Sequence, residues 1–200
     1  MDWFRELQVV SATPLDVHNQ RKRDDDQRVQ ASLGQQVLTP QDPVQETLTR
    51  GNAWLLGAGD HGGFNLKAPY GFLQGVPGSI IKDSNVTLEA EGLTIEGVIF
   101  LASAQQSANA GALVSVTSGT VVFTHCLFLK PQSGTQSGDF VIIADGAKAI
   151  FIGCQFGPTQ ANGQYAVNHL GAVATDVGII GCSNKTGLAH NNVTTVFEVT

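Results

Sequence analysis

The feature that most constrains this chain is a repeat of 28 residues in its second half. The three cysteines stand 28 residues apart, at Cys126, Cys154 and Cys182. Four stretches of eight residues agree column by column at this spacing: LTIEGVIF from Leu93, VVFTHCLF from Val121, AIFIGCQF from Ala149 and VGIIGCSN from Val177. Such a spacing is typical of repeat proteins, in which one unit buries its apolar face only against the next.

The order of apolar residues within each stretch predicts two short strands separated by a corner. Columns one and three are apolar, which is the period of a half-buried strand. Columns six and eight are apolar instead, and a slip of one residue turns the later side chains to the other face. The corner therefore falls at the fifth column, which holds residues that tolerate positive φ: Gly97, His125, Gly153 and Gly181.

A second set of columns stays in step with the first and predicts a third strand. It comprises Val86, Val114, Ile142 and Leu170, followed two places on by Leu88, Val116, Ala144 and Ala172. A leucine-rich repeat needs a helical stretch in each unit, and the connecting segments here are too rich in Gly, Ser and Asn. The sequence predicts an all-β fold, a short parallel β-helix of about 4–5 coils with a 28-residue period and an extended N-terminal arm.

The cysteine column is expected to be structural. In a β-helix, equivalent residues stack about 4.8 Å apart, so the three thiols form an inward column that Val98 continues. Free cysteine fills such a position as a small apolar residue. The column contains no histidine or carboxylate that would complete a metal site, and a disulfide would leave one thiol over. We expect reduced thiols, no bound metal and no cofactor.

Charge and composition exclude several classes of partner. The formal net charge is −6 and the isoelectric point is about 5.2, whereas nucleic-acid binding needs clustered Lys and Arg. The start MDWFRELQVV lacks the apolar core of a signal peptide, and no stretch approaches 18 apolar residues. We expect a protein made in a cytoplasm, with neither nucleic acid nor membrane as a partner.

Three regions are predicted. Residues 1–52 form an extended arm and anchor, because residues 1–50 hold 14 of the 28 charged residues and show no repeat. This arm is either a disordered tail or a segment ordered against another subunit, anchored by Trp3 and Phe4 and by the basic run Arg21, Lys22 and Arg23. Residues 53–82 are a glycine-rich lead-in with a cap at Trp54, Leu55 and Leu56. Residues 83–200 are the β-helix itself.

No pair of residues makes a convincing catalytic site. Asp60 and His61 lie among glycines without a nucleophile beside them, so a turn is the simpler interpretation. A regular 28-residue register places Glu89 and Asp145 in one column, two coils and about 9.6 Å apart, just beyond the separation used by inverting glycosidases. Asp176 stacks on Lys148, where an ordinary ion pair is expected. We expect no catalytic residue.

The long connections between repeats are neutral and rich in amides, with Asp139 as their one acid. Function in a solenoid usually lies on such loops. The residues that suit hydrogen bonds to a glycan or to a neighbouring subunit are Gln105, Gln132, Gln160, Asn162 and Tyr165. An ordinary solvated loop is the alternative.

The stretches TIEGVIF, FTHCLF and FIGCQF resemble the pectate-lyase-like superfamily of right-handed β-helices over about residues 79–200. That superfamily includes polysaccharide lyases, glycosidases and the trimeric tailspikes of bacteriophages. The resemblance implies a right-handed coil. The unsignalled start and the N-terminal arm are similar to those of phage virion proteins, in which an arm docks the subunit onto the particle. Glycan-cleaving tailspikes have more coils and acid-lined grooves, so no catalytic residue carries over.

These observations lead to one functional expectation and one alternative. We expect a non-enzymatic structural protein of a phage virion, either a capsid decoration (cement) protein or a tail fibre or spike attachment protein. Its arm docks it onto other virion proteins. We expect a homotrimer, because outward apolar residues such as Leu127 and Ile143 and exposed strand edges call for cover. The alternative is a small β-helix domain that binds or cleaves a host-surface polysaccharide.

Overall fold

A computed structural model describes residues 36–38, 53–82, 85–102, 112–130, 138–157, 164–184 and 190–199. This part of the chain is all-β and contains no α-helix, and its parallel sheet curls into a half-barrel. A single 3₁₀ turn, Ala174–Asp176, interrupts it. The predicted all-β class is confirmed.

Seventeen strands belong to one hydrogen-bonded sheet. They are β1 Gln36–Leu38, β2 Ala53–Leu56, β3 Gly59–His61, β4 Asn65–Leu66, β5 Phe72–Gly75, β6 Ser79–Lys82, β7 Val86–Glu96, β8 Ile99–Leu101, β9 Val114–Thr124, β10 Leu127–Leu129, β11 Val141–Ile143, β12 Lys148–Ile152, β13 Gln155–Phe156, β14 Val167–His169, β15 Val177–Asn184, β16 His190–Asn191 and β17 Thr194–Val199.

The register of the first predicted set of columns is confirmed. Strands β7, β9, β12 and β15 pair in parallel, so that Leu93, Val121, Ala149 and Val177 lie side by side. Beyond the corner, β8, β10 and β13 align Phe100, Phe128 and Phe156 in the same way. All of these side chains are buried. Burial of like side chains against each other therefore fixes the 28-residue period in the backbone pairing.

The predicted corner is also confirmed. Gly97, His125, Gly153 and Gly181 have φ angles of 67°, 52°, 59° and 60°. The corner backbone is hydrogen-bonded from repeat to repeat, since Gly97 N–H donates to Thr124 and His125 N–H donates to Ile152. This left-handed conformation turns the chain between the inward residue before the corner and the inward residue after it.

The second predicted set of columns is right at its start and wrong afterwards. Val86 lies opposite Val114 as expected, but Val114 lies opposite Val141 rather than Ile142. The alternation on β11 buries Val141 and Ile143 completely and leaves Ile142 half-buried. A register with Ile142 inward would turn the side chains of Val141 and Ile143, which are fully buried here, to the outer face of the sheet. Ile143, which we expected on the outside, therefore points into the core.

The sheet extends into the predicted arm and lead-in. Strand β1 lies within residues 1–52 and pairs in parallel with β2, so Gln36 aligns with Trp54. Strands β2, β3 and β4 pair in turn with β5, β6 and β7. Trp54 and Leu56, predicted as a cap, are buried between neighbouring strands, whereas Leu55 is half-buried. The rest of residues 1–52 lies outside the described residues.

Two columns of phenylalanine rings run through the core. Phe128 stacks on Phe100 and on Phe156 with ring centroids 5.0 and 4.9 Å apart. Phe123 and Phe151 form the second column at 4.9 Å. The columns touch edge to face, as in the 5.7 Å contact between Phe123 and Phe128. These distances match the spacing of paired strands, so the rings keep contact along the stack without distorting the backbone.

Phe128 lies at the centre of this aromatic core, and Phe128→Ala is expected to destabilise the fold by about 3–5 kcal/mol. The substitution removes the ring that stacks on both Phe100 and Phe156, and it leaves a cavity between two repeats. Denaturant unfolding followed by circular dichroism measures the loss. Gln155→Ala, an exposed change on the neighbouring strand, is the control and should stay within about 0.5 kcal/mol of the parent. Equal effects of the two changes would contradict this account of the core.

Candidate functional site

The cysteine column points inward, as predicted. The three thiols are free and at most 1% exposed. Each donates a hydrogen bond to a carbonyl of the preceding repeat: Cys126 to Ile95 at 3.5 Å, Cys154 to Phe123 at 3.4 Å and Cys182 to Phe151 at 3.5 Å. The column is therefore satisfied within the core.

The environment of Cys154 and Cys182 opposes the ionisation of their thiols. The hydrogen bond with Cys126, together with burial, raises the pKa of Cys154 to about 12. The hydrogen bond with Cys154 and burial raise the pKa of Cys182 further still. Because the thiolate is the nucleophile and the metal ligand, these shifts favour the less reactive, protonated form of both residues.

Asp60 and His61 do not form a dyad. They are consecutive residues of β3, a strand rather than the predicted turn, so their side chains leave opposite faces. The Asp60 carboxylate pairs with the Lys82 ammonium at 2.7 Å on the outside. His61 is 2% exposed, and its Nε2 lies 2.7 Å from the carbonyl oxygen of Gly57. No proton transfer between the two side chains is geometrically accessible.

The column predicted for Glu89 and Asp145 stays a prediction, because Asp145 lies in a turn between β11 and β12 rather than on a paired strand. A register shift after Leu88 places Glu89 opposite Ser118, which breaks the constant 28-residue spacing at this point. The Glu89 carboxylate lies 2.9 Å from the Lys67 ammonium. Their hydrogen bond is the main cause that lowers the pKa of Glu89. The other predicted pair is confirmed, since Lys148 lies 3.2 Å from Asp176.

A polar neck, which we define as Lys130, Gly138, Asp139 and Gln164, lies at the described ends of two of the long connections. The Lys130 ammonium donates to the carbonyls of Gly138 at 2.9 Å and Asp139 at 3.0 Å. Gln164 Nε2 donates to the Gly138 carbonyl at 2.6 Å. Lys130 thus joins the residues on either side of one connection. Gln164, which follows the next connection, binds the same Gly138 carbonyl.

Asp139 continues the polar neck onto the following strand. Its Oδ1 accepts from the backbone N–H of Tyr165 at 2.8 Å, and its Oδ2 accepts from Asn168 Nδ2 at 2.6 Å. The one acid predicted on the connections is therefore engaged in holding two repeats together. Tyr165 itself is half-buried. The other four predicted contact residues, Gln105, Gln132, Gln160 and Asn162, lie outside the described residues, as do Trp3, Phe4, Arg21, Lys22 and Arg23.

Lys130 is the residue of the polar neck that sequence reasoning missed. It is 9% exposed, and burial lowers the pKa of its ammonium to about 8, although the nearby Asp139 carboxylate opposes the shift. A lysine next to a proline in a loop-like stretch carries no sequence signal for burial. Its burial accompanies its hydrogen bonds to the carbonyls of Gly138 and Asp139, which only the folded chain brings within reach.

The outer surface of the sheet differs in character from face to face. On β9, β12 and β15, outward aliphatic side chains adjoin one another, and we call them the apolar strip: Val122, Ile150, Ile152 and Ile180. Ile152 and Ile180 are 37% and 38% exposed. On β8 and β10 the outward residues Ile99, Leu101, Leu127 and Leu129 are half-buried, so Leu127 points outward as expected.

The third outer face is mainly polar. Strands β7, β9, β14 and β16 place Thr87, Ser115, Asn168 and Asn191 outward, and the half-buried Ile142 of β11 lies between Ser115 and Asn168. Asn191 Nδ2 donates to Asn168 Oδ1 at 3.0 Å, so amide side chains bridge neighbouring strands there. Water solvates such a face readily, whereas the apolar strip gains by being covered. The apolar strip is the candidate interaction surface, because Ile152 and Ile180 are more exposed than the half-buried aliphatic residues of β8 and β10.

The low pKa of Lys130 predicts how stability changes with pH. Its folded pKa of about 8 lies below the ordinary 10.5, so between these values the unfolded chain binds more protons and stability rises with pH. The stability advantage of the parent over Lys130→Met should therefore grow from pH 8 to pH 10. Denaturant unfolding at both values measures it. Lys148→Met, at a lysine that is 57% exposed, is the control, and equal pH trends for both variants would contradict the prediction.

Comparison with known proteins gives no family. The chain matches no protein-family model, no curated protein and no solved structure. In the described part of the chain, no three His, Cys, Asp or Glu side chains converge on one point. No helix there is long and apolar enough to cross a membrane.

Proposed function

We propose that this chain is a non-enzymatic structural protein of a bacteriophage virion, built as a short right-handed parallel β-helix of about 4–5 coils. It assembles as a homotrimer through the apolar strip, and it docks onto other virion proteins through its N-terminal segment. It serves as a decoration protein of the capsid or as an attachment protein of the tail fibre or spike. The apolar strip is the single observation that carries the proposal.

The pairing of strands supports the coiled architecture. Each of β7, β9 and β12 pairs in parallel with a strand one repeat later, and the intervening chain turns at a positive-φ corner. Parallel strands in one sheet need a crossover connection between them, and such crossovers are right-handed in nearly all proteins. Strand, corner, strand, connection and third strand together make one coil in this proposal.

The distribution of side chains on the outside supports a trimer. Aliphatic residues of three adjacent strands form the apolar strip, whereas the polar face carries Thr, Ser and Asn. A three-fold ring of parallel stacks turns one face of each subunit toward the axis and leaves the others in solvent. Burial of the apolar strip on that axis removes about 25 cal/mol of unfavourable hydration for each Å² that it covers.

The N-terminal segment supplies the attachment in this proposal. The sheet begins at Gln36, so residues 1–35 precede every described strand. They contain Trp3 and Phe4 and the basic run from Arg21 to Arg23. Aromatic and arginine side chains contribute much of the energy at protein interfaces, which suits these residues to bind a virion partner.

Disruption of the apolar strip tests the assembly. Ile152→Asp places a carboxylate at the centre of the strip, where burial in a contact is unfavourable, and should convert the trimer to a monomer with an unchanged circular dichroism spectrum. Sedimentation equilibrium measures the mass. Ser115→Asp on the polar face is the matched control and should remain trimeric. A monomeric parent chain, or a trimeric Ile152→Asp variant, would refute the proposed interface.

Removal of residues 1–35 tests the attachment. The cut stops before β1, because loss of Gln36–Leu38 would also remove a strand of the sheet. The truncated chain should keep its β spectrum and its oligomeric state but lose binding to phage particles that lack the protein. Co-sedimentation with such particles measures binding, and the full chain is the control. Undiminished binding by the truncated chain would exclude the N-terminal segment as the anchor.

A further inference from the structure

The last repeats bury a histidine that the packing of the core does not require. His169 is the final residue of β14 and is 1% exposed. It stands opposite Ile143 on the neighbouring strand, in a column of aliphatic side chains. Its ring Nδ1 lies 3.0 Å from the backbone carbonyl of Asn192, whereas its Nε2 is buried without a hydrogen-bond partner. A buried polar atom of this kind calls for an explanation.

The hydrogen bond at Nδ1 decides the chemistry of Nε2. A carbonyl oxygen only accepts, so Nδ1 carries the ring hydrogen and donates it to Asn192. The neutral ring then presents a bare lone pair at Nε2. Asn192 is itself held in place, since its side-chain amide donates to the carbonyl of Gly171 and its backbone has a φ of 52°. The imidazole is thus fixed in one tautomer and one orientation.

A carboxylate borders the space in front of this lone pair. A Cβ at Gly171 would stand 2.6 Å from His169 Nε2 and 2.8 Å from Asp145 Oδ1. The two atoms therefore approach the same side of Gly171 and lie close to each other. Asp145 is exposed and lies in the turn between β11 and β12, so solvent reaches this pair of atoms from the Asp145 side.

The geometry points to a binding site for a divalent transition-metal ion of the zinc class, held by His169 Nε2 and Asp145 Oδ1. Both atoms are acceptors, so a cation satisfies both at once. Imidazole nitrogen with carboxylate oxygen is a donor pair that Zn²⁺ takes at about 2.0–2.2 Å. A histidine ligand usually donates its other ring N–H to a carbonyl, as His169 does. Water completes the coordination on the side of Asp145.

This site lies apart from the apolar strip and the polar neck. It is also separate from the cysteine column, so it differs from the metal site that the sequence analysis considered and rejected there. One protein ligand, Asp145, lies in the turn before β12, and the other, His169, lies at the end of β14. A bound ion would therefore link two consecutive repeats. Its occupation is independent of the proposed trimer.

The test uses the full chain with Zn²⁺ or Co²⁺, and with Mg²⁺ as the comparison ion. Zn²⁺ should raise the melting temperature and shift the Nε2 resonance of His169 in long-range ¹H–¹⁵N spectra, because the ion binds the lone pair directly. Co²⁺ should give d–d absorption bands. Mg²⁺, which prefers all-oxygen sites, should do neither.

Asp145→Asn is the decisive variant, because the residue is exposed and the change keeps its shape. It should weaken Zn²⁺ binding by about tenfold or more. His125→Asn removes a different, exposed imidazole at a positive φ that asparagine tolerates, and it should leave Zn²⁺ binding unchanged. Absence of a His169 Nε2 shift, or equal Zn²⁺ affinity in Asp145→Asn and the parent, would overturn the site and leave a bridging water as its occupant.

Discussion

Parallel backbone pairing of like residues from successive repeats is the interaction on which the rest of this structure depends. When β7, β9, β12 and β15 pair with like residue opposite like residue, each interior position becomes a column of similar side chains about 4.8 Å apart. That spacing suits flat rings, and the phenylalanines stack at 4.9–5.0 Å. It also suits thiols, each of which reaches a carbonyl of the repeat before. Backbone hydrogen bonds and side-chain packing thus stabilise one and the same register.

The corner makes this arrangement a curved stack rather than a flat sheet. A strand that continued straight would point Cys126 outward, because alternate residues face opposite sides. The positive φ at His125 and at the equivalent glycines turns the chain so that Phe123 and Cys126 both point inward. At Gly153 an added Cβ would also stand 3.0 Å from the His125 ring, so glycine avoids a close contact there in addition to allowing the positive φ.

Because the interior columns repeat with similar side chains, the residues that could carry function lie on the outer faces or at interior positions that depart from the repeat. The interior columns hold mainly apolar side chains of similar size, so they say little about partners. The outer faces have no such constraint, and one of them presents the apolar strip while another presents asparagines joined by hydrogen bonds. The polar residues that enter the interior each lie within hydrogen-bond distance of a backbone carbonyl: His61, Ser79, Lys130, Gln164 and His169. At such places a hydrogen bond or an ion, rather than packing, holds neighbouring repeats together.

The sequence by itself determined the parts of this fold that repeat within a fixed number of residues. The alternation around Leu93, the slip at Gly97 and the inward cysteines are local patterns, and each recurs 28 residues later. Only the tertiary structure decided the register of β11, since the number of residues between strands varies and burial of Val141 and Ile143 chose among the possibilities. The same holds for Lys130 and for the meeting of His169 with Asp145. Those contacts join residues whose separation follows no period, so no pattern along the chain predicts them.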